Sequence, residues 1–146
     1  MIGSTQHETK FEDPKINIRQ RLSGLWVAAM FCYIYADILA FYDDYLLGEI
    51  LNGNLGPIGP ITQELKFGIG VFMSIPAIMV YVSLAAKPRI CRWINTASGS
   101  LFTAVSLVTT IMSPFYYYIY FGILEVAITV YVVWLVWKWP TQLSTN

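Results

Sequence analysis

The chain has 146 residues, 56% of them hydrophobic, 16% aromatic and only 12% charged, and its formal net charge is zero. A soluble domain carries about 25% charged residues, so this composition argues against an ordinary water-soluble fold. The absence of a basic excess leaves no surface suited to nucleic acid.

The length allows one domain, 1–146. Its first part, 1–20, is a polar N-terminal tail of mixed charge. A secretory leader opens with a short basic region followed directly by an apolar one, so the first apolar segment is expected to be an uncleaved anchor. The first ~14 residues and the Ser-Thr-Asn ending have the polar composition of disordered termini.

A helix needs about 20 mostly apolar residues to cross ~30 Å of hydrocarbon. The first such span is 22–41, bounded by Arg21 and Asp43, with Asp37 as its one charge. An outer loop, 43–64, follows. Within it Asp43 or Asp44 can cap a short helix through Leu51, ended by Asn52-Gly53. Tyr45, Leu46, Leu47, Ile50 and Leu51 give that helix an apolar side suited to the membrane interface. The loop reads as a plain linker or as a lid over an outward-facing cavity. Gly-Pro-Ile-Gly-Pro, 56–60, is expected to form a stiff non-helical crossing.

The second span, 65–86, has Thr62 as a candidate cap and contains Pro76, which is expected to kink the helix and free a carbonyl. The remaining apolar stretch is twice as long as one span. Ser113-Pro114 divides it into spans 94–112 and 116–137. The fold class is therefore all-α, an integral membrane four-helix bundle.

Lys10, Lys15, Arg19 and Arg21 precede the first span, Lys87, Arg89 and Arg92 separate the second from the third, and Lys138 follows the fourth. Lys66 is the one basic residue on the other side, among Asp43, Asp44, Glu49 and Glu64. Positive loops stay in the cytoplasm. The expected location is the cell membrane, multi-pass, with both termini cytoplasmic. The aromatic residues give the same topology. Trp26, Trp93, Trp134, Trp137 and Trp139 map to the inner ends, and Tyr42, Tyr45, Tyr116, Tyr117, Tyr118 and Tyr120 to the outer ends.

His7, in the tail, is the one histidine. That removes bis-histidine haem, a histidine-rich metal site and a Ser-His-Asp hydrolase. Cys32 lies in an apolar run and Cys91 among loop cations, so the two are expected at different depths as free thiols. No metal or cofactor is expected. An enzyme is the weakest reading, because no histidine, metal-ligand cluster or cysteine pair lies at bilayer depth.

The chemistry-bearing candidates are Asp37 and Glu125. A carboxylate at bilayer depth costs roughly 2.5–3.5 kcal/mol on insertion scales, so it usually meets a partner or water. Asp37 is placed roughly 7–8 Å below the outer interface and Glu125 roughly 13 Å, at 1.5 Å per helical residue. The face of Asp37 carries Met30, Tyr33, Phe41 and Asp44, and that of Glu125 carries Tyr118, Phe121, Gly122, Thr129 and Val132. Gly99, Thr103, Ser106 and Thr110 form a small polar stripe on the third span. Such a stripe permits close helix packing or forms the wall of a pathway. No basic residue within the spans is available to either acid. The proposed ligand- or proton-binding set is Asp37, Glu125, Tyr33, Tyr118, Thr103, Ser106 and Thr129. The competing reading is that each acid is hydrogen-bonded and fixes helix packing.

The run from Leu25-Trp26 through Tyr33-Ile34-Tyr35-Ala36-Asp37-Ile38-Leu39 resembles the first helix of a family of small, functionally uncharacterised four-helix membrane proteins found mainly in bacteria. The general shape is also similar to DoxX-like proteins, without a specific shared motif. The resemblance implies four helices and no assigned activity.

Two functions compete. One is transport or binding of an ion or small molecule of unknown identity through an outward-facing polar cavity, by a protein expected to associate with itself in the lipid bilayer. The other is a structural or accessory subunit of a larger membrane complex.

Overall fold

The computed structural model describes residues 15–55 and 58–140, which form five helices: α1 (Ile18–Ala40), α2 (Asp44–Leu51), α3 (Gln63–Ala85), α4 (Pro88–Met112) and α5 (Tyr116–Trp137). All but α2 are long and apolar enough to cross a membrane. At 22–25 residues each, they reach about 33–38 Å, which matches the ~30 Å of hydrocarbon with a margin at each end. The fold is all-α, and the chain reads as a membrane protein.

Local chemistry sets the helix ends. α1 begins ahead of the expected start at 22 because Asn17 and Gln20 form a capping box: the Asn17 side chain accepts from Arg19 N–H at 3.2 Å, and Gln20 Oε1 accepts from Asn17 N–H at 3.3 Å. α4 begins ahead of the expected 94 because Pro88 holds its first position, where the missing N–H costs no bond. Arg89 and Arg92 are therefore helical rather than in a loop, and Ala86-Lys87 alone connect α3 to α4. The first fourteen residues of the chain, including His7, lie outside the described residues, as do Gly56-Pro57 and 141–146.

The loop helix forms where its cap places it. Asp43 Oδ1 accepts from the N–H groups of Tyr45 and Leu46 at 3.1 and 3.0 Å, and Gly53 turns the chain at φ 78°. No residue of α2 is buried, and it makes no extensive contact with the other helices. Of the expected stiff crossing, 56–60, Gly56-Pro57 lie outside the described residues, and backbone hydrogen bonds tie the residues on either side of them. Leu55 N–H donates to Gly59 C=O at 2.8 Å, and Ile61 N–H to Gly53 C=O at 2.8 Å, with Gly59 at φ 101°. Thr62 caps α3, accepting from Leu65 N–H at 3.2 Å. α3 remains one helix through Pro76, which is buried.

The long helices form a ring in the order α1, α3, α4, α5. The α4–α5 contact is the most extensive, α1 packs well on α5 and on α3, and the α3–α4 seam is the thinnest. The core lies toward the end where α1 starts and α5 finishes (the terminal end), around Leu22, Trp26, Met79, Cys91, Phe102 and Val136. Phe102 is its centre. It meets Trp26 edge-on at 6.0 Å, stacks on Phe72 at 4.6 Å and touches Tyr33 at 5.8 Å. The opposite end, with α2 and the 113–115 turn, is the loop end. Large apolar side chains point out of the bundle all round, among them Phe31, Val71, Tyr81, Val108 and Ile123, as expected where the solvent is lipid.

Candidate functional site

The site is built on the α4–α5 contact, where small residues let the backbones approach. Gly99 and Gly122 are both buried. A methyl group built on Gly122 would collide with the Thr110 hydroxyl, and one on Gly99 would press against Val133 Cγ2. Hydroxyl side chains spaced by turns of α4 then face α5. Thr103 Oγ1 donates to Thr129 Oγ1 at 2.8 Å, and Thr129 Oγ1 donates to the Glu125 backbone carbonyl at 2.8 Å. One turn nearer the loop end, Ser106 Oγ donates to Glu125 Oε2 at 3.1 Å. The polar stripe of α4 thus joins two helices and supplies the single hydrogen bond made by the Glu125 carboxyl among the described residues.

Glu125 is 6% exposed. The Tyr33 ring, from α1, reaches the same place, and its hydroxyl is buried beside Ser106 and Glu125 without a hydrogen bond of standard geometry. Tyr118 lies near Asp37, Glu125 and Thr109, and Tyr117 near Asp37 and Asp43. The Tyr117 hydroxyl is also buried and unpartnered among the described residues. Together these groups make a file of polar side chains from the loop end, at Asp43 and Tyr117, past Asp37 and Tyr118, to Glu125, Tyr33 and Ser106.

Asp37 differs from Glu125. Its side chain is exposed, at the rim of this file rather than enclosed in it. Asp44, expected on the same helical face, belongs to α2, because α1 ends at Ala40. Thr103 and Thr129 sit deeper, on the packing contact. Among the described residues no three His, Cys, Asp or Glu side chains are grouped to hold a metal ion.

A second polar cluster, not anticipated from the sequence, ties α1, α3 and α4 near the terminal end. Asn95 is fully buried. Its Oδ1 accepts from Trp26 Nε1 at 2.8 Å and from Ser83 Oγ at 3.2 Å, and its Nδ2 donates to the Cys91 carbonyl at 2.9 Å. This corrects two expectations. Trp26 is a core residue rather than an interfacial anchor, because its indole N–H has a buried acceptor. Cys91 is buried on α4 rather than in a loop, and both cysteines are free thiols. The spacing of Cys91 and Asn95, one helical turn apart, was the available signal.

A model of a family of unknown function, DUF6326, matches residues 10–145. The chain belongs to this family. No curated protein and no solved structure matches it. Membership of DUF6326 agrees with the expected likeness to an uncharacterised family and brings no activity with it.

Proposed function

We propose that this DUF6326 protein binds a proton or a small cationic ligand at Glu125, in the course of transport or ligand binding, with entry from the loop end. The observation that carries this reading is a pair of incompletely bonded groups in one place. The buried Glu125 carboxyl has one hydroxyl partner, and the Tyr33 hydroxyl beside it has none among the described residues. Buried polar groups are nearly always hydrogen-bonded, so this pair is a place for water, a proton or a ligand to complete. Ser106 orients the carboxyl, the Tyr33 hydroxyl stands beside it ready to share a water or ligand, Asp37 and Tyr118 form the approach, and Thr103 and Thr129 hold the two helices in register.

The same proposal puts the terminal end, with Arg19, Arg21, Lys87, Arg89, Arg92 and Lys138, in the cytoplasm of a cell, with the chain in its plasma membrane. The bacterial setting and the DoxX-like general shape belong to it too.

A specific observation also favours the accessory or self-associating reading. Gly70 and Ser74 lie exposed one turn apart on α3, and a methyl group on Gly70 would meet nothing within 4 Å. Small residues on an open helix face suit a neighbouring helix.

Reconstitution in vesicles with an internal pH indicator tests the site. Glu125→Gln is expected to reduce proton or cation flux to background, and Asp37→Asn to slow it. Flux unchanged by both substitutions would overturn the reading and favour the accessory role.

A further inference from the structure

A cavity of about 1150 Å³ opens at the terminal end, where the starts of α1 and α4 meet the end of α5. It exceeds the usual size of small-molecule pockets, about 300–1,000 Å³. Its lining combines Arg19, Arg89 and Arg92 with Trp93, Trp137 and Trp139. None of the described carboxylates lines it; Asp43, Asp44, Glu49 and Glu64 belong to the loop end.

The arginines are placed differently. Arg19 is anchored, with Nη1 donating to the Leu84 carbonyl at 3.0 Å and its other donors left over. The guanidinium groups of Arg89 and Arg92 have no hydrogen-bond partner among the described residues, although Arg92 is half-buried. Guanidinium forks match the oxygens of a phosphate, and partly buried ones without an anion are poorly satisfied. Indole rings at helix ends sit at headgroup level in a bilayer.

We propose that this cavity binds the phosphate headgroup of an anionic phospholipid, with the arginines on the phosphate and the indoles along the glycerol and first acyl carbons. The joining of cations to an aromatic wall favours this occupant over a free anion. The site is remote from Glu125 and independent of its role.

Native mass spectrometry of the delipidated full-length protein in detergent tests it, with phosphatidylglycerol, phosphatidylcholine and inorganic phosphate as probes. Phosphatidylglycerol is expected to be retained in preference to phosphatidylcholine. Retention should fall about fivefold for each of Arg89→Gln and Arg92→Gln. Arg21→Gln serves as control, because Arg21 lies outside the cavity and is held by the Tyr131 hydroxyl at 2.5 Å, and it should leave retention unchanged. Equal retention of both lipids, or insensitivity to the two substitutions, would overturn the proposal. Displacement by inorganic phosphate at equal concentration would also overturn it, by showing a free-anion site. So would lipid binding that appears only when Glu8, Glu12 and Asp13 are neutralised, because the tail's own acids would then be the occupant.

Discussion

Asn95→Leu is expected to lower the stability of the folded bundle by about 2–4 kcal/mol, measured by denaturant unfolding in a fixed detergent. Leucine is close to asparagine in size but accepts no hydrogen bond. The substitution leaves Trp26 Nε1 and Ser83 Oγ buried without their acceptor, and each stranded donor costs about 1–3 kcal/mol. The lower part of the summed range applies because the chain unfolded within a membrane-like medium finds other partners. The loss should fall mainly on α3. Its buried residues, Pro76, Met79 and Ser83, all lie in its second half, and its seam with α4 is otherwise thin. Asn95→Asp keeps the acceptor and should cost less than Asn95→Leu. Equal stability of Asn95→Leu and the parent protein would show that the cluster does not hold the helices together.

Gly122→Ala is the second large effect, with an expected cost of about 1–3 kcal/mol, in the range for overpacking a tight contact. The added carbon collides with the Thr110 hydroxyl and lies 3.0 Å from Thr110 Cβ. Thr110 cannot step aside freely, because its hydroxyl donates to the Ser106 carbonyl at 2.5 Å. Either that bond breaks or α4 and α5 separate, and separation would also stretch the Ser106–Glu125 bond one turn away. The same substitution at Gly70, where a methyl group meets nothing within 4 Å, should be neutral or stabilising by up to about 1 kcal/mol, since alanine favours helix. The double variant Gly122→Ala with Thr110→Ala should recover much of the loss, as residues in contact do not act additively. Thermal unfolding of the four proteins reads all of this.

Much of the architecture was legible because hydropathy over ~20 residues measures the transfer free energy that decides whether a helix can cross a bilayer. The four spans follow from it, and the division at Ser113-Pro114 follows from proline's missing donor. The short loop helix was also readable, since Asp43 and Gly53 act on residues next to them in the chain. The stripe Gly99, Thr103, Ser106, Thr110 and the face of Glu125 could each be drawn from helical periodicity.

What periodicity does not contain is which face meets which. The bond from Trp26 to Asn95 joins residues 69 apart in sequence. A tryptophan near a span end looks the same whether its indole N–H meets headgroups or a buried amide. Cys91, flanked by cations in sequence, turns inward because neighbouring positions on a helix point in different directions. Helix starts were missed for a different reason. The Asn17–Gln20 box and Pro88 lie in polar stretches, outside any apolar window. In the candidate site, the exposure of Asp37 depended on a side-chain orientation that spacing alone could not supply. It lies at the rim, whereas Glu125 is enclosed.

The proposed role of Glu125 requires a buried, exchangeable acid rather than a fixed packing group. Infrared difference spectroscopy of the purified protein, stepped across neutral pH, reads that carboxyl directly. The expected result is a protonated-carboxyl band that rises and falls with pH, disappears in Glu125→Gln and shifts in Ser106→Ala and Tyr33→Phe. A spectrum without such a band, or with one that persists unchanged in Glu125→Gln, would contradict the account.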